Sequence, residues 1–221
     1  FAIPPGATLR ETIESLGIDQ RELADRTGLT AKTLNLIIQG KAPLTHQTAL
    51  LLERVTNVPA RIWNNLEAEY REHLARLEAR RQLAKDIAWL TQIPCKALID
   101  RGFIEESKDR VVLLERTLSF FRVATVRAWH EGWRSKQFAF RKSEHASTRD
   151  GRLAAWLQMA ELKAEQMDVA PFDKHKFQAA VAEIRTLTTT QPEHFVPKMI
   201  SLCQSAGVAL CLIPEIPGGK I

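Results

Sequence analysis

The 221-residue sequence contains little cysteine and no long apolar run. Its cysteines, Cys95, Cys203 and Cys211, are odd in number and show no CxxC spacing, which argues against a disulfide framework, a zinc knuckle and secretion. The longest apolar run, 208–213, is far shorter than the roughly 20 residues of a transmembrane helix. The first residues also lack the pattern of a signal peptide. We therefore expect a soluble, cytoplasmic protein without a membrane partner.

The charged residues are unevenly distributed. The 31 basic and 26 acidic residues give a formal net charge of +5, and the 45% of residues that are apolar suffice for one or two globular domains. Residues 1–80 and 151–221 are balanced, whereas 81–150 hold fourteen basic and nine acidic residues. This excess favours a phosphate-bearing partner but does not prove one. Phe1 at the start and the Gly-Gly-Lys-Ile end lead us to expect that the sequence is part of a longer protein.

The N-terminal third is predicted to be all-α, because apolar residues recur there at spacings of three and four. Capping residues mark helix starts: Asp19 opens a helix that Gly28 ends, and Thr30 opens the next one. The last helix of this region is predicted to begin near Pro59, a residue suited to a first helical turn. The predicted helices are 9–16, 20–27, 31–39, 46–56 and about 59–77.

Residues 20–40 have the pattern of a helix-turn-helix. Two helices that cross steeply need a small residue at the crossing, here Ala24, and a turn residue that tolerates a positive φ, here Gly28. The apolar residues that fix the depth of the second helix are Leu34, Ile37 and Ile38. An alternative is a small helical bundle whose exposed polar residues are only hydrated. The agreement of spacing, caps and turn glycine favours the helix-turn-helix.

If the aliphatic side of this second helix faces the core, its polar side faces outward, where the major groove of DNA can receive it. The residues predicted to contact base edges are Lys32, Thr33, Asn35 and Leu36. Lys32 can donate to guanine, Asn35 can pair with adenine, and Leu36 can contact a thymine methyl group. The residues predicted to contact phosphates are Gln20, Thr30, Gln39 and Lys41. The predicted partner is double-stranded operator DNA, and no cofactor is predicted.

The rest of the chain is also predicted to be largely helical. The predicted helices are 111–126, 152–167, 174–187 and 195–206, and the run 208–213 is predicted as a buried strand. The fold class is therefore mainly α, with a five-helix N-terminal helix-turn-helix domain, a helical middle segment and the start of an α+β domain at the C-terminus. The predicted domains are 1–80, 81–148 and 149–221.

Residues 5–77 resemble the Xre-type helix-turn-helix of HigA antitoxins. The motifs that carry the resemblance are Pro-Gly at 5–6, Leu-Ala at 23–24, the turn residue Gly28, Gly-Lys-Ala-Pro at 40–43 and Trp-x-x-Leu-x-x-x-Tyr at 63–70. The resemblance implies a transcriptional repressor of its own toxin-antitoxin operon that neutralises a toxin partner, a HigB-like ribonuclease. It also implies a homodimer, which agrees with one recognition helix reading one half-site. The chain departs from this family in length, since HigA antitoxins usually end near the fifth helix.

The segment from about Phe120 onward resembles the opening of ImmA/IrrE-type domains. The motifs are Arg-Val-Ala-Thr at 122–125, Ala-Ala-Trp-Leu-Gln-Met-Ala-Glu at 154–161, Pro-Phe-Asp at 171–173 and the stretch 202–215. Such domains bind zinc through an HExxH helix, whereas His130 and Glu131 are followed at the required position by Arg134. We therefore predict no catalytic residue, no metal site and no enzyme activity for these residues. The alternative function is the regulatory portion of an Xre-ImmA/IrrE zinc-peptidase regulator of stress or prophage genes.

The remaining reactive and basic residues have simpler interpretations. The six histidines are scattered, which favours hydrogen-bonded or solvated side chains over a metal site. Cys203 and Cys211 lie in apolar surroundings and are predicted to be packed rather than nucleophilic. Between Arg116 and Arg149, eight basic residues alternate with aromatic residues. This stretch could contact DNA flanks, a toxin or a ligand, but a solvated helix face with its aromatic residues in the core is slightly favoured.

Overall fold

The computed structural model describes residues 3–139, 148–187 and 192–216, and the chain divides into two compact units, Phe1–Gln82 and Leu83–Ile221. The α-helices within the described ranges are α1 Pro5–Ser15, α2 Gln20–Thr27, α3 Ala31–Ile38, α4 His46–Thr56, α5 Ala60–Ala84, α6 Cys95–Asp100, α7 Arg110–Phe120, α8 Val126–Ala139, α9 Thr148–Glu165, α10 Lys174–Thr186 and α11 Pro192–Ser205. These ranges contain no strand, so the prediction of a mainly α fold is confirmed. No helix found in them is long and apolar enough to cross a membrane.

The first unit is built from α1 to α5 around one apolar core. Helix α3 packs against α1 and α2, and α2 also packs against α4. The largest side chains that are completely buried in this core are Leu9, Leu23, Leu34, Leu52 and Trp63. Full burial of each such side chain contributes roughly 1.5–3 kcal/mol to stability. The predicted five-helix N-terminal domain is confirmed, with α3 held against two neighbours.

Most helix boundaries in the first unit agree with the sequence-based predictions, but the start of α1 does not. Helices α2 and α4 have the predicted limits, and α5 continues past residue 77 to Ala84. Helix α1 begins at Pro5 rather than at Leu9. The predicted start at residue 9 is wrong, because Pro5 already supplies a first-turn φ and needs no N–H partner.

The second unit has its own core, which joins the middle and C-terminal thirds of the chain. Leu98 and Leu114, Trp129 and the α9 residues Ala155 and Met159 are buried in a single cluster. Aromatic rings form much of it, with Trp89 and Trp129 edge to face at a centroid distance of 5.2 Å. Residues from both predicted segments, 81–148 and 149–221, therefore share one core. The predicted boundary at 148 adjoins residues 140–147, which lie outside the described residues.

The predicted helix 111–126 ends earlier in the structure, since α7 stops at Phe120 and the next helix, α8, begins only at Val126. Arg122 adopts a left-handed φ of +55°, and the Val123 N–H donates to the Leu118 carbonyl oxygen at 3.1 Å, which closes α7. The prediction of one continuous helix is wrong. Apolar residues recur at helical spacing on both sides of this turn, so the pattern alone does not show that the helix ends there. Helices α9, α10 and α11 lie within four residues of their predicted limits.

The predicted strand 208–213 is also wrong, since residues 208–216 have no regular secondary structure. Side chains bind their carbonyl groups in place of a neighbouring strand. The Arg101 guanidinium donates to the carbonyls of Pro214 at 2.9 Å and Glu215 at 2.7 Å, and the Trp156 indole donates to Ile213 at 3.1 Å. A strand requires a ladder partner, and the described residues offer none.

Candidate nucleic-acid interface

Caps mark the start of α2 and both ends of the turn between α2 and α3. The Asp19 carboxylate accepts a hydrogen bond from the Glu22 N–H at 2.7 Å, and the Thr30 hydroxyl accepts from the Thr33 N–H at 3.1 Å. Gly28 has a φ of +71°, in the left-handed region where a side chain is strained. All three sequence-based cap predictions are confirmed. The two side-chain caps satisfy the backbone N–H groups of Glu22 and Thr33, which have no partner within their own helices.

One side of α3 is completely covered by the core of the first unit. Leu34, Ile37 and Ile38 are 0%, 1% and 4% exposed, and Ala24 on α2 is 7% exposed. This confirms the predicted inner face. Ala24 belongs to the same buried cluster as these three residues, which agrees with the prediction of a small residue at the crossing.

The opposite side of α3 presents polar groups to solvent. Lys32 and Asn35 are exposed, whereas Thr33 and Leu36 are half-buried. The Asn35 side-chain carbonyl accepts a hydrogen bond from the Gln39 amide at 3.0 Å, so these residues form a polar pair one turn apart. The Thr33 hydroxyl lies 2.8 Å from that of Thr30 and is already engaged in the cap. The exposure required for base contact is present at Lys32 and Asn35, and the role itself stays a prediction.

The residues predicted to contact phosphates lie before, within and after α3 in the sequence. They differ in exposure and in the hydrogen bonds that they already form. Lys41 is exposed, but its backbone N–H donates to the Leu36 carbonyl at 2.8 Å, which leaves only its ammonium group for an anion. Gln20 is half-buried at the first residue of α2. Thr30 and Gln39 are exposed and already hydrogen-bonded within the domain. Phosphate contact by these four residues stays a prediction.

Sequence reasoning missed Gly6 as a residue that positions α3. A Cβ atom built on Gly6 would lie 2.4 Å from the Ile37 carbonyl oxygen and 2.4 Å from the Ile38 Cα. The backbones of α1 and α3 therefore touch at the end of α3, which only glycine permits. The sequence contained one signal for this role. Proline at position 5 favours a first helical turn, so the glycine that follows it would lie inside the helix, where glycine is otherwise unfavourable.

Helix α5 supports the turn that follows α3. The Tyr70 hydroxyl lies 3.0 Å from the position a Cβ would take on Gly40, whose φ is +68°. The adjacent Glu67 is 8% exposed, and its carboxylate binds the Arg71 guanidinium at 2.6 Å. This pair lies within α5, one turn apart, and the Arg71 side chain is 38% exposed. The Tyr70 hydroxyl is thus the group of α5 that approaches the turn before Lys41.

The basic and aromatic stretch from Arg116 to Arg149 has a structural explanation where its side chains are described. Arg116, Arg122 and Arg127 each form an ion pair within the protein. The Arg122 guanidinium holds the pKa of Glu165 below its usual range. The aromatic rings of this stretch that the structure describes, Phe120, Phe121, Trp129 and Trp133, lie in the core of the second unit. The favoured interpretation is confirmed for these arginines; the side chains of residues 134–149 are outside the description.

The Xre-type helix-turn-helix pattern is found independently by a family comparison. A family model described as Helix-turn-helix matches residues 9–63, which span α1 to the start of α5. Residues 9–63 form a helix-turn-helix DNA-binding domain. No curated protein sequence matches the chain. Among solved structures, the chain is similar to the Pseudomonas aeruginosa antitoxin HigA with higBA promoter, with 29% identity over 37% of this chain and 90% of that one and a TM-score of 0.36.

Proposed function

We propose that this protein is a sequence-specific transcriptional repressor that binds double-stranded operator DNA through α3. The observation that carries the proposal is the exposed pair Lys32 and Asn35 on a helix whose other side is fully buried. A major groove admits one such helix, and these two side chains have the donors and acceptors that recognise guanine and adenine. The caps at Asp19 and Thr30 fix the starts of α2 and α3 before DNA arrives, which lowers the ordering cost of binding.

The proposed repressor acts as a homodimer in the manner of a HigA-like antitoxin. A single α3 reads only one half-site, so two copies related by a two-fold axis would read a palindromic operator. The resemblance of residues 5–77 to HigA antitoxins supports autoregulation of a toxin-antitoxin operon and neutralisation of a HigB-like ribonuclease. We propose binding rather than catalysis, because Arg134 stands where an HExxH motif needs its second histidine.

The proposal is tested by fluorescence anisotropy with the DNA upstream of the protein's own gene and with random DNA of equal length. Lys32→Ala and Asn35→Ala should each weaken the operator complex by about 1–3 kcal/mol and leave random DNA unchanged. Lys41→Ala should weaken both DNAs alike and reduce the salt dependence by about one counterion. Lys96→Ala and Asn65→Ala, exposed residues on α6 and α5, are the matched controls.

Gln39→Ala separates base contact from helix stability. Gln39→Ala and Asn35→Ala both remove the hydrogen bond between these two side chains. Such a surface pair contributes only about 0.2–0.5 kcal/mol to helix stability. If Gln39→Ala changed sequence preference as much as Asn35→Ala, the effect would come from the helix and not from Asn35. Equal affinity of the unsubstituted protein for the upstream and random DNA would refute sequence-specific repression.

A further inference from the structure

One stretch of the second unit, 209–212, has backbone groups that the fold leaves unpaired. The chain runs through residues 208–216 without helix, turn or bend. The Val208 N–H donates to the Cys203 carbonyl at 2.9 Å, but residues 209–212 form no backbone–backbone hydrogen bond with any residue that the structure describes. Backbone N–H and carbonyl groups need partners, either from another segment of chain or from water. Four consecutive residues therefore have groups available for a second strand.

The segment 208–213, Val-Ala-Leu-Cys-Leu-Ile, also has the composition of a strand. It contains no charged residue and no proline, and a proline follows it at Pro214. Its residues are all partly exposed, and Leu212 is 53% exposed. Proteins commonly protect an unpaired strand edge with lysine or proline, and a six-residue apolar segment without either pairs readily with another strand. The composition of this segment therefore favours pairing.

Both ends of the segment are held by the rest of the second unit. The bond from Val208 to Cys203 holds the first end. At the other end, the Trp156 indole donates to the Ile213 carbonyl at 3.1 Å, and Arg101 binds the next carbonyl. Six extended residues span about 20 Å, which is the length of an ordinary strand. A second strand would meet a segment whose ends are already ordered, so less conformational entropy is lost on pairing.

We propose that segment 208–213 is an interface at which two copies of this chain pair as antiparallel strands. The partner that the segment requires is extended, uncharged and apolar, with unpaired backbone groups, and the segment itself meets each of these requirements. A two-fold axis through the pair satisfies both copies at once. Antiparallel pairing keeps the two exposed Glu215 side chains at opposite ends, whereas parallel pairing would place them side by side. This proposal concerns the second unit alone and does not rest on DNA binding by the first.

The test measures amide hydrogen exchange of residues 209–213 in the full chain by mass spectrometry. The purified protein is compared at about 1 mM and about 10 μM, because dilution separates the two copies. Exchange at these amides should be at least about threefold slower in the concentrated sample. The readout is local, so association of copies through the first unit alone would leave it unchanged. Exchange as fast as in an unstructured peptide at both concentrations would overturn the proposal.

A pair of matched substitutions locates the interface. Leu212→Lys places a charge on the strand edge and should speed exchange at 209–213 in the concentrated sample at least about threefold. Leu50→Lys is the control, since Leu50 on α4 is 51% exposed and Leu212 is 53% exposed. Thermal melts confirm folding of each variant. Slow exchange that neither dilution nor Leu212→Lys speeds would place the protection within a single chain and overturn the proposal, as would an equal effect of Leu50→Lys.

Discussion

Replacement of Gly6 with alanine measures how closely α1 packs against the end of α3. The new Cβ would lie 2.4 Å from the Ile37 carbonyl oxygen and 2.5 Å from that of Ile38. Ordinary contacts of a carbon atom lie at about 3.5–4.0 Å. Both clashing partners are backbone atoms, so no change of rotamer relieves them. The two helices would have to separate by about 1 Å.

This separation should lower the free energy of unfolding of the first unit. Overpacking of a well-packed core costs about 1–3 kcal/mol. Alanine recovers at most about 1 kcal/mol through its higher helix propensity. We therefore expect Gly6→Ala to destabilise the first unit by about 1–2 kcal/mol. For a unit of this size, each kcal/mol lowers Tm by about 4–8 °C, which a circular dichroism melt detects.

A matched control is Gly132→Ala, since Gly132 is also helical but has open space where its Cβ would go. This variant should gain about 0.5–1 kcal/mol from helix propensity alone. The two glycine substitutions should therefore change stability in opposite directions. A Gly6→Ala protein as stable as the unsubstituted one would refute the close approach of α1 and α3, as would a gain equal to that of Gly132→Ala.

Two further predictions concern the second unit. Arg101→Met should cost about 1–2 kcal/mol and speed amide hydrogen exchange at Ile213, Glu215 and Ile216, because the bonds to the carbonyls of Pro214 and Glu215 are lost; unchanged exchange would contradict this. Burial raises the pKa of the Cys95 thiol, so iodoacetamide should modify Cys95 more slowly at pH 8 in the folded protein than in urea. The contribution of the protonated Cys95 thiol to folding stability is complete below the pKa of the unfolded chain and is lost as the pH rises through the pKa of the folded protein. Equal rates of Cys95 modification in the folded protein and in urea would contradict the raised pKa.

The helix-turn-helix could be predicted because its determinants are local. Asp19, Gly28 and Thr30 act within three residues of their own positions, as caps and turn residues do. The inner face of α3 follows from the helical period of Leu34 and its neighbours. The start of α1 could not be placed correctly, since Thr8 has the properties of a cap and Pro5 those of a first helical residue, and both lie before the same apolar pattern.

The second unit was less predictable because its determinants are distant in sequence. The turn that separates α7 from α8 is held by an ion pair between Arg122 and Glu165, 43 residues apart, at 2.6 Å. The chain after residue 207 is held by Arg101, more than 100 residues earlier. The periodicity of a segment carries no information about partners that are distant in sequence. The local patterns therefore predicted a continuous helix at 111–126 and a strand at 208–213.

The same distinction explains why the exposed face of α3 could be found from the sequence. A recognition helix exposes consecutive residues of one element, so Lys32 and Asn35 follow from the position of Leu34 once the buried side is known.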